Sequence, residues 1–360
     1  MSKKHYVIPI FVPDLGCPHR CVFCNQKRIT GQAETPDAAQ VERKIAEFLP
    51  HIPEGEDITI ETAFYGGSFT AVTPELQEQL LRPAFEALNR GQIDHIRIST
   101  RPDAINENIL AKLSTYGVSI IELGVQSLDD VVLARANRGH TSRDVLRAVA
   151  LIKSWGFNLG LQIMVGLPGD NREKAINTGK EIIALHPDFV RIYPCLVLRD
   201  TELAEKYRHG DYRPWSIEEA VEVCKDLLIG FEKASIPVVR IGLQPSEEIS
   251  WSGDVLAGPY HPAFRELVES AVAREQMMQL LAKAEKKVGR VRQASFLVPA
   301  TDLSIAKGQK NSNIEYFRQQ KGLDSITVGA LDKGERGFIL LTRANEQEVN
   351  LVSTRKTMEI

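Results

Sequence analysis

What most constrains this chain is a rhythm. Short, β-rich apolar runs alternate with longer stretches whose apolar residues recur at three- and four-residue steps. The runs fall at 6–12, 58–65, 95–99, 119–123, 158–165 and 188–193, and the helical stretches at 37–49, 74–88, 106–115, 142–154 and 171–185. Thr73-Pro74-Glu75 and Thr141-Ser142 supply helix starts. A βαβα alternation predicts a parallel sheet with helices packed on it. Six units fall short of an eightfold closure. The expected fold is therefore α/β, a partial (β/α)6 TIM-like barrel. The 360 residues leave room for a smaller unit beside it. After about Arg240 the rhythm changes. Gly258-Pro259-Tyr260-His261-Pro262 forms a turn, 263–287 reads as one long amphipathic helix, and 293–298, 312–320, 325–328 and 338–341 read as strand, helix, strand and strand. The expected organisation is a barrel over 1–245, a connecting loop and long helix over 246–288, and a small C-terminal α+β domain over 289–360.

Three of the five cysteines, Cys17, Cys21 and Cys24, sit on the loop that follows the first predicted strand. A fully ligated iron–sulfur cluster takes four thiolates, and a closed structural zinc site takes four nitrogen or sulfur ligands. Three thiolates with no fourth cysteine nearby fit a [4Fe–4S] cluster with one iron open to an outside ligand. A zinc site with His19 as the fourth ligand is the competing reading. Clustered cysteines of this kind fit a reducing compartment rather than a disulfide framework. The apolar run near the N-terminus is short and broken by Pro9, so it reads as a strand and not as a signal peptide. No stretch approaches the length of a membrane span. A cytoplasmic location without a membrane partner is expected. The net charge of −3 excludes electrostatic attraction of the whole molecule to nucleic acid.

Gly66-Gly67-Ser68 follows the second predicted strand as the cysteine loop follows the first. Sites in parallel α/β barrels form at the C-terminal ends of strands. Two adjacent glycines let backbone come close to a ligand, or simply make a βα turn.

The spacing Cys-x3-Cys-x2-Cys, with Phe23 before the last cysteine, resembles that of radical S-adenosylmethionine (SAM) enzymes. Four further segments resemble the radical SAM module of the elongator complex catalytic subunit family. They are Phe64-Tyr65-Gly66-Gly67-Ser68-Phe69-Thr70; Ser99-Thr100-Arg101-Pro102-Asp103; Glu122-Leu123-Gly124-Val125-Gln126-Ser127 through Asn137-Arg138-Gly139-His140-Thr141; and Arg191-Ile192-Tyr193-Pro194-Cys195 through Thr201. Oxygen-independent coproporphyrinogen III oxidase is similar at Gly124-Val125-Gln126, at Arg138 and at Gly166-Leu167-Pro168. The similarity spans roughly residues 6–245. It implies a [4Fe–4S] cluster on Cys17, Cys21 and Cys24, with SAM as second cofactor. It implies that Phe23 covers the cluster and that Gly66, Gly67 and Ser68 lie at the SAM amino group. Gln126 would meet the ribose, and Arg138 would pair with the carboxylate, a match of planar fork to carboxylate. Gln162 stands where the oxidase has a ribose-binding acid. Ser99 stands where relatives usually carry a Glu near the amino group. The implied partners are an unidentified substrate, with a nucleobase or tRNA first and a tetrapyrrole or other small metabolite as the alternative, and an electron donor such as a flavodoxin or ferredoxin. The residues after 245 show no pyrophosphate-cradling pattern, so acetyl-CoA use is not implied.

Tyr193, Cys195, Arg191, His140, Tyr260 and His261 are candidates to face the substrate. Tyr193 and Cys195 are two apart near a predicted strand end, which places them on one side if the strand continues. Cys195 could donate a hydrogen atom, or serve as a small buried residue, as free cysteine commonly does. Cys224, on a helical apolar stripe, reads as core. From Lys283 to Lys321 nine basic residues face three acidic ones. That segment, with Lys307-Gly308-Gln309-Lys310 at a helix entrance, fits a phosphate-bearing partner or a solvated face.

Overall fold

The computed structural model describes residues 4–12, 17, 19–25, 35–53, 55, 57–244, 249–331, 337–344 and 347–358. Gly16 and Pro18 of the cysteine motif lie outside the described residues. Contacts group the chain into two compact units, Met1–Trp215 with Leu243–Tyr260, and Ser216–Gly242 with His261–Ile360. This grouping differs from the threefold division expected from the sequence.

The first unit is the expected partial barrel. Strands β1 (Lys4–Val12), β2 (Ile58–Gly66), β3 (His95–Thr100), β4 (Val118–Gln126), β5 (Asn158–Val165) and β6 (Phe189–Pro194) lie side by side in sequence order, every pairing parallel. The crossovers carry helices α1 (Ala38–Phe48), α2 (Pro74–Asn89), α3 (Glu107–Thr115), α4 (Asp130–Arg135), α5 (Ser142–Ser154) and α6 (Arg172–Ala184). Each longer helix starts on a side-chain cap that satisfies an otherwise unpaired amide. Asp37 with Gln40 and Thr141 with Asp144 form capping boxes, and Thr73, Asn106 and Asn171 cap α2, α3 and α6. Two aspartates register the sheet. Asp94 and Asp188, each just before a strand, accept 2.7 Å hydrogen bonds from the neighbouring strand's Ile60 and Leu159 amides.

The strands' period of two separates the sheet's faces. Ile8, Ile10, Ile96, Ile98, Ile121, Leu123, Leu159, Leu161, Val190 and Ile192 are buried on one of them. The alternate positions on β2, β3, β4 and β6 carry charge instead of the branched apolar side chains that fill closed barrels. Glu61, Arg97, Glu122 and Arg191 form one connected series across the lumen. Arg97 reaches Glu61 at 2.7 Å and Glu122 at 3.3 Å, and Arg191 Nε lies 3.1 Å from the same Glu122 oxygen. His5 closes the series on Glu61 at 3.0 Å. Burial alone would raise the Glu61 carboxyl, but His5 and Arg97 outweigh it and hold the group below its usual range.

The second unit has helices Ile217–Lys233 and Phe264–Val288 and a four-stranded sheet in the order Ser325–Ala330, Gln293–Val298, Phe338–Ala344, Gln347–Ser353. The first pair is parallel and the others antiparallel. Met277, Leu281, Phe296, Phe317 and Leu340 centre its core. The expected α+β character is present here, and Cys224 is buried within Ile217–Lys233.

Candidate active site

The cysteine loop is pinned by backbone. The Val22 amide donates to Ala136 O at 3.1 Å, the Leu203 amide donates to Val22 O at 2.7 Å, and Asn137 Nδ2 donates to Arg20 O at 2.7 Å. These bonds set the loop against the segment that carries Arg138. Cys21 is buried, Cys24 half-buried and Cys17 exposed. Phe23 packs on a cluster containing Val22, Leu167, Cys195, Leu203 and Tyr212. Among the described residues, no three His, Cys, Asp or Glu side chains already gather at metal-binding distance.

Arg138 joins the loop to the barrel mouth. Its Nη1 donates to Cys21 Sγ at 3.1 Å and its Nη2 to Gly124 O at 2.6 Å. Arg101 donates to the Arg138 carbonyl and pairs through Nε with Asp103 at 3.0 Å. His140, buried beside these two guanidiniums, donates from Nε2 to Val125 O over 3.2 Å. Burial first, then Arg138 and Arg101, push its imidazole down to about 4, so it is neutral near pH 7.

The strand ends are shaped as a cradle. Gly66 has φ +113°, and a Cβ there would stand 2.7 Å from Val12 O. Gly67 donates its amide to the same oxygen at 2.8 Å. The first glycine is thus required by the β1–β2 approach itself. Ser68 is buried, 3.0 Å from Thr100 Oγ1, and accepts from the Arg101 amide at 3.1 Å. Gln126 sits at φ +71°, where the β4–β5 register shifts, and its Oε1 accepts from Gln162 Nε2 at 3.4 Å. A Cβ on Gly124 would come within 3.0 Å of Gln126 Nε2. Left-handed backbone at a non-glycine residue stores strain that surrounding structure must hold, and such residues gather at ligand sites.

Deeper in the lumen, Arg191 donates to the Tyr193 hydroxyl at 3.4 Å and the Tyr65 hydroxyl at 3.3 Å. Burial raises the Tyr65 phenol, so it stays protonated. Strand β6 ends at Pro194, so its alternation does not extend to Cys195. That residue is 1% exposed in the apolar cluster beneath the cysteine loop, and burial pushes its thiol up to about 12. Tyr260 is buried in a second cluster with Leu196, Leu198 and Val255, edge-on to Trp251. His261, in the other unit, accepts from the Ala263 amide through Nδ1. In the basic segment, buried Asn313 donates to Ser270 O at 3.0 Å and to Ala306 O at 3.2 Å. That residue closes the helix entrance structurally, while Lys283, Lys286, Lys287, Arg290 and Arg292 are exposed. Glu61 and Arg97 were not legible as site-supporting residues. Their only signal was charge at alternate positions of otherwise apolar strands.

Two family models match consecutive stretches. The radical SAM superfamily model takes residues 12–182, and the radical SAM C-terminal domain takes 187–274. The chain belongs to the radical SAM superfamily. As such it is an enzyme, and the superfamily's cofactors are a [4Fe–4S] cluster and SAM. A tRNA uridine(34) acetyltransferase of Methanocaldococcus infernus is 28% identical over 269 residues, 64% of this chain and 49% of that protein. Human elongator complex protein 3 is 31% identical over 189 residues, 47% of this chain and 35% of that one. The radical SAM chain thus spans about half the length of the first relatives it matches, or less. The solved archaeal Elp3 of M. infernus, with its N-terminus deleted, shares the fold with a TM-score of 0.60 at 24% identity, over 76% of this chain and 64% of that one. Atoms left over at the mouth fit the two cofactors. Arg138 Nε, Arg101 Nη1 and Ser99 Oγ are buried without hydrogen-bond partners among the described residues. Buried donors are normally satisfied, and an amino-acid carboxylate with its amine supplies what these lack. Cys17, Cys21 and Cys24 supply thiolate donors of the kind an iron–sulfur cluster takes, one short of a fully ligated set.

Proposed function

We propose that this radical SAM enzyme holds its cluster on Cys17, Cys21 and Cys24 and acts on a nucleobase of RNA, with tRNA as the leading substrate. The observation that carries the reading is Arg138, which bridges Cys21 and Gly124 while keeping Nε free for a carboxylate. When bound, cluster and SAM supply a 5′-deoxyadenosyl radical upon one-electron reduction. The chain's own residues then have separable tasks. Arg138 grips the SAM carboxylate. Gly66, Gly67 and Ser68 bring backbone and a fixed hydroxyl to the amino group, with Ser99 in the place of an acid. Gln126 and Gln162, already hydrogen-bonded to each other, address ribose hydroxyls. Phe23 screens the thiol loop from water. Tyr193, held with Tyr65 by Arg191, faces the substrate, and Cys195 positions the turn beyond it. A low-potential donor of the flavodoxin or ferredoxin kind and a cytoplasmic setting complete the proposal. Among the described residues no helix is long and apolar enough to cross a membrane.

The name of the Methanocaldococcus infernus relative supports the tRNA reading. Its acetyl transfer is not carried over, because the match covers 49% of that protein. The test is 5′-deoxyadenosine formation by anaerobically reconstituted protein with SAM and a strong reductant, with Cys21→Ala in parallel. Product from wild type alone, stimulated by bulk tRNA, is expected. Stimulation by a small-molecule extract and not by tRNA would move the substrate to metabolites. A reconstituted cluster that binds no SAM would overturn the reading.

A further inference from the structure

The Gly166-Leu167-Pro168-Gly169-Asp170 loop that follows β5 has no role in the chemistry above, yet it walls a pocket of about 460 Å³. Arg135, Lys206, Arg213, Tyr212 and Trp215 line the rest of it with Asp211. Two glycines build this pocket. At Gly166, φ +81°, a Cβ would meet the Trp215 ring at 3.1 Å, so the indole lies against bare backbone. At Gly169, φ +82°, a Cβ would stand 2.6 Å from Arg135 Cδ, so the arginine stem crosses the loop where any side chain would block it. Tyr212 donates to Gly166 O at 2.6 Å and fixes the loop from below. The acid nearest the floor is already engaged. Asp170 accepts from the Gly166 amide at 2.8 Å and the Asn171 amide at 2.9 Å. The pocket thus combines a half-exposed aromatic platform with an exposed guanidinium. Its volume suits one nucleotide rather than the flat face of a protein. A base stacks on an aromatic ring largely without regard to sequence, and cations hold the adjoining phosphate.

We propose that this pocket receives a single nucleotide, its base on Trp215 and its phosphate on Arg135. It rests on the RNA reading of the substrate given above. Leu167 and Tyr212 belong both to the pocket and to the cluster that packs on Val22 and Phe23. An RNA strand docked here is therefore held one apolar layer from the cysteine loop.

The probe is a 5′-fluorescein hexauridylate, bound to the reconstituted protein and followed by anisotropy at several salt concentrations. UMP serves as competitor. Wild type is expected to bind saturably, Trp215→Leu about tenfold more weakly, and Trp215→Phe within about threefold of wild type, since a ring is retained. Arg135→Glu is expected to weaken binding and lower the salt slope by about one. SAM affinity, measured on the same samples, should stay unchanged in all three. UMP binding that Trp215→Leu weakens, without hexauridylate binding, upholds the pocket with a free nucleotide as its source. Wild-type affinity in both Trp215→Leu and Arg135→Glu, or no binding of either probe to wild type, overturns it. Slower cluster reduction by an acidic protein donor in Arg135→Glu, with RNA binding intact, overturns it in favour of protein docking. SAM cleavage is read separately, so radical chemistry without pocket binding refutes only this inference.

Discussion

Arg138 is the residue on which most converges, and its replacement separates charge from shape. Lysine keeps the charge but has no fork, so it cannot serve Cys21, Gly124 and a carboxylate at once. Arg138→Lys is expected to raise the SAM dissociation constant about tenfold or more, measured by equilibrium dialysis, with iron content unchanged. His140 makes a second prediction. Its imidazole titrates near 4 when folded and near 6.5 when free, so the unfolded chain takes up the proton first as pH falls. The stability due to neutral His140 is therefore complete above about pH 6.5 and is lost as pH drops through about 4. Relative to His140→Gln, which cannot charge, the wild type should lose about 3 kcal/mol over that range in urea unfolding. A flat difference would mean that the ring charges freely. The identities of these residues were legible because motif spacing survives without a structure. Their roles were less so. Nothing in the order of residues shows that Arg101 holds the Arg138 carbonyl, whereas the burial of Cys195 was one of the two readings its sequence offered.

Among elements, β2 and its exit dominate. Gly66→Ala brings a methyl against Val12 O in a backbone region that side chains resist. About 2 kcal/mol or more of stability should be lost, seen as a lower urea midpoint at unchanged slope. Across the lumen, Glu122→Gln removes the charge shared by Arg97 and Arg191. It should destabilise by about 3 kcal/mol, because breaking a buried pair strands its partner. Strands and long helices were readable wherever periodicity was strong. Asn158–Val165 and Ser142–Ser154 lie where alternation and a cap place them. Asp130–Arg135 is too short for a period to register. Ile217–Lys233 follows a capping box at Ser216 and Glu219; its apolar stripe around Cys224 was readable, but its ends were not, because it stands beyond the last regular βα unit. Gln347–Ser353 is a mostly polar strand whose place is set by its pairing with Phe338–Ala344, a contact invisible in one segment alone.

At the level of the whole molecule, two compact units predict two responses to iron removal. Chelation under anaerobic conditions should raise amide exchange in peptides covering 19–25 and 136–141, which are tied to one another by hydrogen bonds. Peptides from the 264–288 helix and the 293–298 strand, centred on a separate core, should keep their protection. Uniform deprotection would mean that the cluster stabilises the entire chain.

The charged series through the lumen carries a consequence for how this interior can vary. His5, Glu61, Arg97, Glu122 and Arg191 each satisfy a neighbour, and the last of them orients Tyr65 and Tyr193. Tolerance to change is therefore a property of the set and not of its members. Single-site libraries across these positions should be depleted of folded clones, whereas paired exchanges of acid and base should recover some of them. Reshaping this interior for a different substrate is a combinatorial problem, in which the path through viable intermediates runs by compensating doubles.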